Sequence, residues 1–327
     1  MLDSFLYSFN AIFPIFALVA LGMLLKKIRF LDESYCRVAD KLVFNVALPV
    51  NLFCSVSSSD LDRMFGREQM TLVLFCVCGI SLFFVLLCII TPRFIKDRAV
   101  CGSFIQGAFR SNYAIFALPL ITNLFGDSGR ETASALMPFV VILLNVYAVI
   151  CFGFFHNGET ETSLKKTLKR IVRSTVRNPL IIGNVAGVIY LILKKTLGLS
   201  ALPAFLGNTL SNLSSLAVPL ALISIGVSFR FSDLKGRAVA AVVAAALRIA
   251  VFPLAAVLTA VALGMRGVSL SAVLVVFGAP TAVASYVMSK EMGGDAPLSS
   301  QILLISTSFC LLTMFSFVFV LKYLQLL

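Results

Sequence analysis

Residues 108–121 read AFRSNYAIFALPLI, a polar tetrad (Arg110-Ser111-Asn112-Tyr113) inside an otherwise apolar run, with Pro119 shortly after it. A guanidinium and a carboxamide are costly at membrane depth unless they face a cavity or a partner. Pro119 lacks a backbone donor and clashes with the preceding turn of a helix. The stretch therefore predicts a membrane helix that breaks here and collects polar groups at the break.

A second apolar run is interrupted in the same way at Gly278-Ala279-Pro280-Thr281. The two runs correspond at an offset of 168 residues, which takes Asn112 to Pro280 and the closing pair 126–127 to the closing pair 294–295, both Gly-Asp. This correspondence indicates two copies of one unit, each with a broken helix. We expect the two breaks to cross near the bilayer midplane.

The composition requires a membrane as solvent. Of 327 residues, 59% are hydrophobic and 13% charged, with a mean hydropathy of +1.00, whereas soluble domains carry about 25% charged residues. The net charge of +12 comes from Lys and Arg in short segments between apolar runs. That distribution is typical of membrane topology, so we expect the lipid bilayer as a partner and no nucleic acid.

Ten apolar runs could span a bilayer, and the sequence thus predicts an all-α membrane protein with ten transmembrane helices. The runs cover residues 5–25, 42–56, 71–90, 99–122, 133–155, 179–193, 209–229, 238–263, 269–290 and 302–321.

The basic residues also predict the orientation. With the N-terminus outside, 18 of the 27 Lys and Arg fall in cytoplasmic segments, seven fall outside, and Arg110 and Arg248 lie within spans. Positive charge marks the cytoplasmic side, so we expect both termini to be extracytoplasmic in the plasma (inner) membrane. A unit of five spans begins and ends on opposite sides of the membrane, so a second copy that follows it is inserted upside down. The expected domains are the first repeat, 1–155, a basic interfacial cytoplasmic linker helix, 156–178, and the second repeat, 179–327.

Several motifs together resemble the auxin efflux carrier family. They are Leu48-Pro49 in the second span, the Arg110–Tyr113 tetrad with Leu118-Pro119-Leu120-Ile121, Arg177-Asn178-Pro179-Leu180-Ile181, and residues 218–226, VPLALISIG. The resemblance covers essentially the whole chain. The central linker of this chain is shorter than that of the plant auxin carriers. In this respect the chain looks like a bacterial member of the family, for which auxin is not the expected substrate.

The resemblance implies a fold shared with bile acid symporters and sodium–proton antiporters. In that fold the fourth and ninth helices are broken and cross at the substrate site. Helices three to five and eight to ten move together against a scaffold. Members of the family carry organic anions, among them auxin and small carboxylates such as malate.

The candidate substrate-binding residues are polar groups and prolines at or near the expected breaks and in neighbouring spans. They are Arg110, Ser111, Asn112, Tyr113, Pro119, Pro280, Thr281, Ser285, Tyr286, Asn45, Asn51 and Asn145. Asn112 either holds substrate or satisfies the broken backbone. Arg110 either binds a carboxylate or snorkels toward the cytoplasm.

Arg248 in the eighth span is a candidate for charge balance, because no acidic residue accompanies it in that span. Three interpretations stay open: a pair with Asp233, hydrogen bonds to carbonyls, or replacement of a coupling cation. The function that the sequence predicts is secondary transport of small organic anions. The alternatives are a sodium-coupled symporter of the bile acid type and a membrane ligand sensor that does not transport.

Other classes of protein lack their signatures in this sequence. No Asp or Glu lies centrally in a span, which disfavours a cation antiporter. The single histidine, His156, follows an apolar run, and Cys76-x-Cys78 has no nearby histidine or carboxylate to complete a metal site. A phosphate-binding loop of the Gly-x-x-x-x-Gly-Lys type is absent. We therefore expect no enzyme, no cofactor and no metal, and we leave the oligomeric state open, a homodimer included.

Overall fold

The computed structural model describes residues 2–57, 66–113, 116, 118–155, 173, 176–177, 179–197, 202–228 and 237–327. These residues are almost entirely helical, and none of them forms a strand. The helices are α1 Leu2–Lys27, α2 Glu33–Leu42, α3 Leu48–Ser57, α4 Arg67–Phe94, α5 Arg98–Phe109, α6 Leu118–Phe154, α7 Pro179–Leu197, α8 Ala204–Ser228, α9 Ala238–Ala246, α10 Phe252–Ala262, α11 Gly267–Gly278, α12 Val283–Glu291 and α13 Ala296–Tyr323.

In the described part of the chain, π-helical turns join two pairs of helices. Val43–Ala47 joins α2 to α3, and Leu247–Val251 joins α9 to α10. Single π turns change the direction of the following side chains and are frequent at functional sites. The second turn carries Arg248.

The predicted all-helical membrane protein is confirmed. Within the described residues, five helical stretches are apolar and long enough to cross a bilayer: Arg67–Phe94, Leu118–Phe154, Ala204–Ser224, Ala238–Ala262 and Ala296–Tyr323. Each of the ten apolar runs contains helix, and the ten-helix inverted repeat stays a prediction. Most of the predicted linker, 156–178, lies outside the described residues.

Glycine and proline shape the first broken helix as the sequence suggested. Pro119 lies in the first turn of α6, where its missing donor costs nothing because that amide has no helical partner, so it begins the second half-helix after the break. Gly126, inside α6, has φ 58° and ψ −138°, a left-handed conformation that favours glycine. α6 thus contains two helices joined by a sharp bend at Gly126.

Two helix pairs approach until their backbones touch. A Cβ atom on Gly226 of α8 would lie 2.1 Å from the carbonyl oxygen of Val19 in α1, and one on Gly183 of α7 would lie 2.3 Å from the carbonyl oxygen of Pro49 in α3. Small residues permit such contact between membrane helices. Gly183 and Gly187, spaced as Gly-x-x-x-Gly, both lie against α3 in this way.

The remaining helices surround the two breaks and have distinct ends. At one end Arg237 forms ion pairs with Asp97 and Asp295, the residues that precede α5 and α13. At the other end the amide of Gly267 donates to the carbonyl of Leu326 at 2.9 Å, and Ser269 donates to Glu68 at 3.1 Å. The residues before α5, α9 and α13 thus lie together at one end, and the starts of α4 and α11 lie with the C-terminus at the other.

Candidate functional site

The two breaks meet, as predicted, and hydrogen-bond to each other. The amide of Asn112 donates to the carbonyl of Pro280 at 2.8 Å, and the amide of Ala282 donates to the carbonyl of Arg110 at 3.1 Å. Ser111 and Thr281 form an isolated antiparallel bridge between these bonds. Extended backbone at membrane depth needs such partners because hydrocarbon supplies none. We call this region, residues 110–113 and 279–282, the crossing.

Thr281 stabilises the crossing with both of its donors. Its hydroxyl donates to the carbonyl of Gly107 at 2.7 Å, near the C-terminal end of α5, and its amide donates to the hydroxyl of Ser306 in α13 at 3.1 Å. The side chain was a sequence-based candidate for substrate binding. Its hydroxyl proton is already engaged in holding the two halves of the chain together.

Arg248 lies at the C-terminal ends of both first half-helices. Its side chain is 2% exposed. Nε donates to the carbonyl of Ala279 at 2.8 Å, Nη1 to Phe109 at 2.9 Å and Nη2 to Val276 at 2.8 Å. Helix C-termini carry partial negative charge, so one guanidinium compensates both. Of the three sequence-based interpretations, the bonds to carbonyls are the ones observed; Asp233 lies outside the described residues.

The crossing and the start of α12 also carry donors that no described residue satisfies. Ser111 and Ser285 are buried, and their hydroxyls have no hydrogen-bond partner in the described chain. Asn112 is 6% exposed, and its carboxamide forms no hydrogen bond with a described residue. α12 begins next to these groups, and its N-cap, Ala282, supplies no side-chain cap. The N-terminus of a helix attracts anions because its amides point outward.

Arg110 extends into the protein and does not snorkel. It is 7% exposed, donates from Nη2 to the Oδ1 atom of Asn145 at 2.7 Å, and also contacts the sulfur of Met288 from Nη1. Asn145 belongs to α6 and Met288 to α12. The sequence-based candidates Arg110 and Asn145 are thus brought together, and neither partner of the guanidinium carries a charge.

The remaining sequence-based candidates either donate hydrogen bonds to groups outside the crossing or are partly or fully buried among other side chains. The hydroxyl of Tyr113 donates to the carbonyl of Ala133 at 2.9 Å. Asn51 in α3 donates to the hydroxyl of Ser214 in α8 at 2.8 Å, and Asn45 donates to the carbonyl of Lys41. Tyr286 is half-buried in α12, and Pro119 is buried. A substrate role for these residues stays a prediction.

Two residues at the site were missed by the sequence analysis. Gln106 is buried one turn before Arg110 in α5, and its Oε1 atom has no partner among the described residues. Its Nε2 atom lies 3.9 Å from the sulfur of Met288. A glutamine inside an apolar run was a usable signal, because its spacing places it on the same face as Arg110. Met288 gave no signal.

The charges of the site are positive in the described part of the chain. None of the described carboxylates bonds to Arg110 or Arg248. A group of three or more residues with metal-binding side chains was likewise not found among the described residues. The arrangement offers hydroxyl, amide and guanidinium donors to a negatively charged molecule.

The chain resembles membrane transporters over nearly its full length. Residues 7–318 match the family model described as membrane transport protein. An uncharacterized transporter of Methanocaldococcus jannaschii is 25% identical over 310 residues, which cover 93% of this chain and 95% of the relative. Another from Methanothermobacter thermautotrophicus is 25% identical over 312 residues, covering 95% and 97% of the two chains. The similarity thus includes both breaks.

Proposed function

The chain belongs to the auxin efflux carrier family of membrane transport proteins, and on this premise we propose that it is a secondary active transporter of small organic anions. The observation that carries the proposal is a set of buried polar side chains at the crossing: the hydroxyls of Ser111 and Ser285, which have no hydrogen-bond partner among the described residues, and Asn112, which is 6% exposed. A carboxylate is an acceptor with two oxygens, and it would satisfy these donors. Arg110 adds positive charge near the same position.

Alternating access requires a moving unit and a scaffold, and the helix contacts support a division of that kind. We propose that α4–α6 and α9–α13, which surround the crossing, move against α1–α3, α7 and α8. Two close helix contacts support an inverted repeat, because α1 packs against α8 in the same way that α7 packs against α3. In this scheme α5 with the first part of α6 is the fourth membrane helix, and α11 with α12 is the ninth.

A specific contact bears on sodium coupling. A sodium ion at the crossing would need oxygen ligands, and the carbonyls of Phe109, Val276 and Ala279 already accept hydrogen bonds from Arg248. The guanidinium supplies there the positive charge that a bound cation would supply. We propose that transport proceeds without sodium.

Purified protein tested against a panel of mono- and dicarboxylates would examine the function. A bound anion should raise the unfolding temperature, because saturation at 100 times Kd adds about 2.7 kcal/mol to the free energy of unfolding. The same anion, radiolabelled, should enter liposomes that contain the protein and are preloaded with that anion, at equal rates in sodium and in choline buffer.

Each other outcome has a distinct meaning. Stabilisation without flux would identify a sensor and contradict transport. A strict sodium requirement would support the symporter alternative. Failure of the whole panel to stabilise or to cross would contradict an organic-anion site.

The orientation can be tested at the two ends of the bundle. We propose that the end with Asp97 and Arg237 faces the cytoplasm and that both termini lie outside the plasma membrane. In a background without the native cysteines, Gln325→Cys should react with a membrane-impermeant maleimide in intact cells, and Lys96→Cys should react only after permeabilisation. Both positions are exposed. The reverse pattern of labelling would contradict the orientation.

A further inference from the structure

We infer that Arg110 makes this protein an anion exchanger, in which the loaded site crosses the membrane much faster than the empty site. The inference rests on the proposed function and adds the mode of transport to it. It follows from the surroundings of the two buried guanidinium groups, which differ in one respect. Arg248 has negative partners inside the protein, and Arg110 has none in the described chain.

Arg110 is fixed at the site but not neutralised there. Its backbone carbonyl accepts from Ala282 at 3.1 Å, which holds the residue at the crossing. Its guanidinium donates to the carboxamide of Asn145 and to the thioether of Met288. Both acceptors are neutral, and a thioether is a weak acceptor. The remaining N–H groups of the fork have no acceptor among the described residues, which leaves donors for a carboxylate.

Arg248 provides the internal comparison. Its three hydrogen bonds run to carbonyls at the ends of α5 and α11. Each helix C-terminus carries a partial negative charge of about half an electron. Two such ends together offset roughly one positive charge, so Arg248 needs no further anion. The guanidinium of Arg110 bonds to no helix C-terminus and no carboxylate among the described residues.

Alternating access passes through a state that is closed on both sides. Closing the empty site would remove the 7% of Arg110 that is still exposed and would supply no counter-ion. Burial of an unpaired charge is strongly unfavourable. A carboxylate in the site would instead form charge-assisted hydrogen bonds with the planar fork. The closed state is therefore accessible to the loaded carrier and poorly accessible to the empty one.

The test compares two rates of efflux with malate as the probe. Liposomes that contain the protein are loaded with radiolabelled malate, and the membrane potential is clamped at zero. Efflux into buffer with saturating unlabelled malate should be at least about ten times faster than efflux into buffer without it, which corresponds to about 1.4 kcal/mol in the barrier. The ratio of the two rates is the quantity of interest.

Asn145→Asp is the informative variant, because it places a permanent counter-ion against Arg110 while it changes the shape of the side chain very little. Net efflux should rise and the ratio should fall toward one. Arg110→Gln should lower the ratio as well, whereas Arg110→Lys keeps the charge and should keep the preference for exchange. Gln325→Glu adds a carboxylate at an exposed position beyond α13 and should leave the ratio unchanged.

The possible outcomes distinguish a failure of the exchange mode from a failure of the proposed transport function. Equal rates of exchange and net efflux in the unmodified protein would overturn the exchange mode and leave transport in place. A high ratio that survives in both Asn145→Asp and Arg110→Gln would show that Arg110 is not its cause. Absence of malate efflux in either mode would overturn the proposed function for this class of anion, and the exchange mode with it.

Discussion

Replacement of Arg248 with alanine should remove most of the folded protein. Three carbonyls would lose their donor in a buried position, and each buried acceptor without a partner costs about 1–3 kcal/mol. The free energy of unfolding should therefore fall by at least about 3 kcal/mol. Arg248→Lys should fail nearly as badly, because one ammonium cannot reach the carbonyls of Phe109, Val276 and Ala279 at the geometry of a planar fork.

The measurements are the monodisperse yield and the thermal unfolding of purified protein. Arg266 is a matched control, since it also donates to backbone carbonyls, those of Val261 and Met265, but at an exposed position. Arg266→Ala should change stability by less than about 1 kcal/mol, the range of exposed sites. Stable Arg248→Ala protein without transport would show that the residue balances charge during transport and is not required for the fold.

Replacement of Asn112 with alanine should strongly weaken anion binding and transport and leave the protein folded. Its carboxamide has no side-chain hydrogen bond to a described residue, so its removal breaks no hydrogen bond observed in the described chain. A hydrogen bond to a charged ligand is worth about 1.5–3 kcal/mol, so the Kd for the anion should rise about 10- to 150-fold. Asn112→Asp should weaken binding further, because it places a like charge beside the carboxylate of the substrate.

Ligand titration and flux in liposomes would measure both effects. Asn212→Ala, which truncates an exposed amide in α8, is the matched control and should bind and transport normally. Affinity and flux near the unmodified level in both Asn112 variants would show that the crossing is structural and that the anion binds elsewhere.

The positions of the breaks could be predicted because their causes are local. A polar tetrad in an apolar run, the proline after it, and the Gly-Ala-Pro-Thr segment each change the conformation of their own backbone. The Gly126-Asp127 pair, which closes the first run in the sequence, marks the bend in α6 for the same reason. The matching offset between the halves then indicated that the breaks meet.

The partners within the site could not be predicted, because the sequence does not mark them. Arg248 was recognised as a cation that needs compensation, but its acceptors are backbone carbonyls, which every residue possesses. The π turn that directs it toward them has no sequence signal of its own. The pairing of Arg110 with Asn145 depends on how α6 bends at Gly126 and returns along α5.

The bridge between the breaks has a consequence for synthesis in the cell. Gly107 and Thr281, joined by a hydrogen bond, are 174 residues apart in the chain. At about 5–20 residues per second, the ribosome needs roughly 9–35 s to make the intervening segment. During that interval the first break lacks the second break as its partner. The nascent first half therefore needs water or the insertion machinery to solvate Arg110 and the backbone groups without hydrogen bonds. Maturation of this protein is therefore completed only when its two halves associate within the bilayer.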